Sequence, residues 1–140
     1  MAVQIKTFSK RSGNFRQLAE EFQREVLESM AHKAVDFSPV DTSAYVDSFG
    51  FNNPQGFSSK NRPTGQNEGA AKARNKQRLS QEVASVSLEG PVVFGNGAPH
   101  VGAVENRSVK KAPNGYKVFA QTRREFTRLA REALMKVKNK

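Results

Sequence analysis

At 140 residues, the chain has room for one domain, 1–140, with an expected radius of gyration of about 14 Å. It contains no cysteine, which excludes disulfides and thiolate metal sites, and no apolar run approaches the roughly 18 residues of a membrane-spanning helix. The net charge is +10 and is uneven, with eight Lys/Arg against seven Asp/Glu in residues 1–66 and fifteen against six in residues 67–140; a basic half of this kind predicts an anionic neighbour, nucleic acid or an acidic protein surface.

Residues 1–13 mix Lys6, Lys10 and Arg11 with single apolar residues, unlike a secretory leader, so a soluble protein is expected. From Asn14 the apolar residues Phe15, Leu18, Phe22, Val26, Met30 and Ala34 recur at three- and four-residue spacing. This predicts a helix over about 14–35, about 33 Å long. Asn14 would cap its first turn with Gln17 reaching back, and Pro39 would force its end. Pro39 to Ser43 reads as a turn in which Asp41 or Thr42 caps a short helical turn over 44–48. Phe49 and Phe51 then alternate with Gly50 and Asn52, as at the start of a strand.

Residues 52–66 hold two prolines, two glycines and Phe57 as their only large apolar residue, which predicts an arm that orders only against a partner. Residues 67–82 favour helix by propensity. There Lys72 and Lys76 form one basic stripe and Arg74 and Arg78 another, on nearly opposite sides, with weak anchoring by Ala70, Ala71 and Leu79. The whole of 52–82 is thus expected to order on assembly. Val83, Val86 and Leu88 predict a strand pairing with Val92 to Phe94, and Asn96-Gly97 a tight reversal with positive φ. Pro113-Asn114-Gly115 predicts a type I turn. A last helix over about 118–138 places Phe119, Thr122, Phe126, Leu129, Ala130, Ala133 and Val137 on one face and Arg124, Arg128, Arg131 and Lys138 on another. The fold class is α+β: two long amphipathic helices, N- and C-terminal, packed on a small, mostly antiparallel sheet, with a long extended loop or arm.

Catalytic chemistry has little support. His32 and His100 are the only side chains that ordinarily titrate near neutral pH. His32 with Glu28 or Asp36 offers too few ligands for a metal and reads as a surface residue. Asp41 reads as a cap rather than an acid. No catalytic, metal or cofactor residue is expected, and the chain reads as a non-enzyme. Lys72, Arg74, Lys76, Arg78, Arg124, Arg128 and Arg131 are candidates for facing DNA phosphates or an acidic partner. Aromatic residues for stacking single-stranded bases are missing from 67–90. A small basic DNA-binding module is therefore one reading.

Three segments, in order, resemble the tail-completion or neck proteins of tailed bacteriophages, the head–tail joining family that includes lambda-type minor tail protein Z. Pro39-Val40-Asp41-Thr42-Ser43-Ala44-Tyr45-Val46-Asp47-Ser48 is similar to the family's Pro-Val-Asp-Thr-Gly-x-Leu-Arg-x-Ser block. Asn96-Gly97-Ala98-Pro99-His100 through Glu105 resembles its Asn-x-x-Pro-Tyr-Ala-x-x-Leu-Glu block. Ser108 through Gly115 resembles the following Ser-x-Gln-Ala-Pro-x-Gly, before a long C-terminal helix. Ser43 stands where Gly is usual, Tyr45-Val46 replaces Leu-Arg, His100 replaces Tyr, and Asn106-Arg107 replaces an aromatic-Gly pair.

The resemblance implies a virion structural protein, assembled in the host cytoplasm. It would form a homo-oligomeric ring, six-fold or twelve-fold, between the portal side of the capsid and the tail. Other connector, portal or tail proteins would be its partners, and genomic DNA would pass through the lumen; no membrane is involved. Pro39, Asp41, Thr42, Phe57, Pro99, His100, Glu105, Pro113 and Gly115 are the candidate interface or positioning residues.

Overall fold

The computed structural model describes the backbone of residues 2–139 and the side chains of residues 15–139. Helix α1 spans Ala2–Phe37, about 54 Å at 1.5 Å per residue. The expected start at Asn14 is corrected, because the helix runs back through Gly13. Residues 2–13 hold no proline, and one interior glycine costs only about 1 kcal/mol; the side chain of Asn14 lies outside the described residues. The C-terminal end falls where Pro39 requires it. Ser38 closes the last turn, its amide donating to Val35 O (3.1 Å) and its hydroxyl to Ala34 O (2.6 Å).

A one-turn helix α2, Ala44–Asp47, leads into strand β1, Phe49–Phe51. Helix α3 spans Glu68–Ser85, strand β2 Phe94–Asn96 and the short helix α4 Val101–Asn106. The chain ends in α5, Val118–Arg124, and α6, Phe126–Lys138. The architecture is mixed helix and a two-stranded antiparallel sheet, an α+β fold. Helix α1 packs against α3, α5 and α6, while α2, β1 and β2 fill one end of that helical layer. The core joins Ala31, Ala34 and Val35 of α1 to Tyr45 and Val46, to Phe49, to Ala71 and Leu79 of α3, and to Val118. Phe49 is its centre: its ring stacks on Phe94 (5.3 Å) and meets Tyr45 (5.1 Å) and Phe119 (5.9 Å) edge-on, contacts each worth about 0.5–1.5 kcal/mol beyond area burial.

Helix α3 differs from expectation in its anchoring and its end. The Asn67 side chain caps it by accepting from Ala70 N (2.8 Å). Ala71, Asn75, Leu79 and Val83 form a buried four-residue stripe against α1, so Ala70, which is exposed, is not an anchor. Val83 belongs to this stripe and not to a strand. The predicted strand over 83–88 is thus corrected: β2 pairs with β1 instead, in the register Phe49↔Asn96, Gly50↔Gly95 and Phe51↔Phe94. The predicted reversal at Asn96-Gly97 is also corrected, as neither residue has positive φ. Asn96 ends β2, its side-chain amide donating to Tyr45 O (2.7 Å) while its carbonyl accepts from Ala98 N (2.9 Å). Gly97 is required by crowding, since a Cβ there would overlap the Pro54 carbonyl.

The predicted C-terminal helix is broken at Glu125. The buried Thr122 hydroxyl donates to Val118 O (2.7 Å) and Glu125 N donates three residues back to Thr122 O (3.0 Å), the kind of back-bonding that bends helices without Pro or Gly. The turn at Ala112–Gly115 is found, closed by Gly115 N to Ala112 O (3.0 Å). Helix α4 has no counterpart among the expected elements: Val101 and Val104, three residues apart, pack one face of it on the core. No helix among the described residues is long and apolar enough to cross a membrane.

Residues 52–66 carry no helix or strand yet lie on the body. Phe57 N donates to Ser48 Oγ (2.8 Å), Gly65 N to Asp41 Oδ1 (2.9 Å) and Gln66 N to Asp41 O (2.8 Å). In this conformation the bonds tie the loop to α2 and to the turn before it.

Candidate functional site

The two blocks that carry the family resemblance are about 50 residues apart in sequence and meet in space. Gly97 N donates to Ser48 O (2.9 Å), and Asn96 holds Tyr45 O. Between them opens a cleft of about 740 Å³, walled by Pro39 to Tyr45 on one side and by His100, Val104 and Tyr116 on the other, with Val109, Lys110 and Lys111 at its rim. Of the candidate interface residues, Pro39, Asp41, Thr42 and His100 line this cleft. Phe57, Pro99, Glu105, Pro113 and Gly115 do not.

The first block is fixed by local chemistry. Thr42 Oγ1 accepts weakly from Ala44 N (3.3 Å), a partial form of the expected cap. Asp41 caps nothing in α2 and instead ties down the end of the 52–66 loop. Ser43 enters α2 in the left-handed conformation, φ 63°, which only glycine adopts without penalty. Its hydroxyl offsets part of that strain by donating to Asp47 Oδ2 (2.9 Å).

Asp47 is the hub of the network behind the cleft. Besides Ser43, it accepts from Arg62 Nη1 (2.9 Å), Arg74 Nη2 (2.9 Å) and Asn75 Nδ2 (2.8 Å). One carboxylate thereby joins α2, the 52–66 loop and α3. Burial alone would raise its pKa, but the bonds from Asn75, Arg74, Arg62 and Ser43 outweigh that and bring it down to about 2. Sequence reasoning passes over Arg62 and Asn75. An asparagine in the middle of the α3 stripe was the available signal, because a buried amide inside a helix needs a partner.

The second block positions α5. Glu105 accepts from Phe119 N (2.9 Å) and Ala120 N (3.2 Å), satisfying two free amides of that helix start and placing negative charge at its N-terminus. Gly115, at φ 87°, seats against the end of α4, where a Cβ would overlap Glu105 O. Pro113 sits inside the preceding turn. Phe57 lies under the Arg62 guanidinium (5.1 Å), and Pro99 is exposed. Replacing Glu105 by alanine is expected to lower stability by about 1–2 kcal/mol. Urea denaturation would read this, and an unchanged midpoint would remove Glu105 from the positioning role.

Tyr45 is 4% exposed. Its hydroxyl is buried with no hydrogen-bond partner among the described residues. Burial, with a smaller contribution from Glu105, pushes its ionisation well above the usual phenol range, so it stays neutral. His100 tilts toward the Tyr45 ring at 6.1 Å. His32 is not the surface residue expected: it is half-buried, with Nε2 2.9 Å from Ser80 Oγ and 3.2 Å from Lys76 O, stitching α1 to α3.

The candidate cations mostly face their own chain's acids. Lys72 pairs with Glu68 (2.8 Å) and donates to Asp36 O (2.8 Å). Lys76 pairs with Asp36, Arg74 with Asp47, and Arg78 with Glu82 (3.4 Å). Arg128 bridges Glu125 (2.8 Å) and Glu132 (2.7 Å). Such surface pairs stabilise by only about 0–1 kcal/mol, yet they offset charge that an outside anion would otherwise meet. Arg124 and Arg131 are exposed and have no ion pair among the described residues. Comparison of the chain with protein-family models and with curated proteins, and of its fold with solved structures, finds no match.

Proposed function

We propose that this chain is a head–tail joining protein of a tailed phage particle, a structural protomer that closes into a ring with DNA passing through its lumen. The observation that carries the reading is the convergence of the two resembling blocks on one cleft. The positions of these blocks, at the departures as well as at the matches, hold structural roles. Position 43 has the left-handed backbone that a glycine would satisfy, position 45 is buried where the family has an apolar residue, Glu105 caps α5, and Gly115 makes a close approach that admits no side chain. These are positioning roles, as a scaffold needs, and a ring would close through heterologous contacts between two different surfaces of each protomer.

Electron microscopy and native mass spectrometry of the purified chain test the ring. Closed rings of one size are expected as concentration rises. A strict monomer at every concentration, with or without tail and portal extracts, would sink the proposal.

A further inference from the structure

Ion pairs occupy Lys72, Arg74, Lys76, Arg78 and Arg128 among the basic residues singled out in the sequence and leave Arg124 and Arg131 without one among the described residues. Between Arg107 and Arg124 stand six cations, Arg107, Lys110, Lys111, Lys117, Arg123 and Arg124, and no Asp or Glu. None of the six makes an ion pair among the described residues, and all but the half-buried Lys117 are exposed. Glu68, whose field reaches Lys111, is already bonded to Lys72. Glu105, just before the segment, is occupied with the amides of α5.

The backbone gathers these cations. Val109 and Ala112 exchange hydrogen bonds (both 3.0 Å), putting Lys110 and Lys111 at the tip of a tight turn. Tyr116 N and Lys117 N then bond Val104 O (2.9 Å) and Glu105 O (3.1 Å), and the Lys117 ammonium reaches Asn106 Oδ1 (2.6 Å). Lys117 is therefore folded back beside Arg107. Helix α5 carries Arg123 and Arg124 about 10 Å further on, at its C-terminal end where cations are favoured.

We infer that the Arg107–Arg124 face is a binding surface for the phosphate backbone of duplex DNA. Duplex DNA presents a charge about every 1.7 Å of axis, and its non-specific binding needs charge and reach but no apolar contact. That matches this face, where Val109, 38% exposed, is the one exposed large apolar side chain. A protein partner would instead call for an apolar or aromatic centre, and lysine is depleted in such interfaces. Single strands would need free aromatic faces, but Tyr116 and Phe119 are packed against the core. The inference rests on the ring reading only for where the DNA comes from, and it names the side of the protomer turned to the lumen.

The test is binding of the full-length chain to a mixed-sequence 30-base-pair duplex, read by fluorescence anisotropy across a salt series. The variant carries Arg107→Ala, Lys110→Ala, Lys111→Ala and Arg123→Ala together. Its logarithmic salt slope is expected to be shallower by about 0.9 for each phosphate that is no longer neutralised, with affinity at low salt down at least tenfold. The Lys72→Ala/Lys76→Ala variant should leave the slope near that of the parent chain. Parent-like slope in the first variant, weakening confined to the second, or binding of polyglutamate in place of DNA would each overturn the inference. Electron microscopy of the parent chain separates the two ideas: rings that form while the parent chain shows no DNA affinity sink this surface and leave the ring standing.

Discussion

Asp47→Ala is expected to lower the unfolding free energy by about 2–3 kcal/mol at neutral pH. The substitution removes the shared acceptor of Ser43, Arg62, Arg74 and Asn75 and leaves a buried Asn75 amide short of a partner, whereas the arginines recover part of their bonding by turning to water. The aspartate side chain retains 19% exposure, which keeps the cost below that of breaking a fully buried pair. The effect depends on pH in a fixed direction. Asp47 titrates at about 2 in the folded protein, against an ordinary 3.8. Its stabilisation is therefore complete above the unfolded value and is lost as pH falls from about 4 toward 2. Urea midpoints of the parent chain and of Asp47→Ala across this range should approach one another as pH falls. A difference at neutral pH below about 0.5 kcal/mol, or one that does not shrink in acid, would contradict the role of Asp47 as a hub.

Gly56→Ala is expected to detach the 52–66 loop. A Cβ at Gly56 would overlap the Gly97 carbonyl, and a Cβ at Gly97 would overlap the Pro54 carbonyl and lie 2.9 Å from Gly56 N. Both obstacles are backbone, so no side-chain rotation relieves them. The loop must lift, and the Phe57 N to Ser48 Oγ bond goes with it. A cost of about 2–3 kcal/mol follows for either substitution, in the range of overpacked cores. Gly95→Ala is the control, because nothing lies within 4 Å of the added Cβ and that change should be nearly neutral. Tryptic cleavage after Lys60 and Arg62 should accelerate at least tenfold in Gly56→Ala. Asp47→Ala releases the same loop through Arg62, so the two effects should add to less than their sum. Equal cleavage rates in Gly56→Ala and Gly95→Ala would show that the loop is not held where the glycines place it.

How much of this was legible in the sequence follows from the range of the forces involved. The long helices are written in their apolar periodicity, and the end of α1 in Pro39, because both act within a few residues. Strand pairing is not local. Nothing near Phe94 indicates that its partner is Phe51, some 40 residues away, rather than the nearby Val83. A valine at 83 fits both periods until Ala71, Asn75 and Leu79 are seen to need it on one face. Gly97 reads as part of a tight reversal and Gly56 as part of a loose arm, but the structure uses both where two backbones touch. Most of the candidate site was legible only as a resemblance. Asp41, Thr42, Glu105 and Gly115 stand out through it, and each has a structural task. The hub at Asp47 and the unpaired cations from Arg107 to Arg124 became visible only once the partners of every charge were placed in space.

The most direct test of the joining role is electron microscopy of phage particles assembled while this chain is withheld. Filled heads and free tails should accumulate side by side, and adding the purified protein should join them. Intact, joined particles assembled without it would contradict the account.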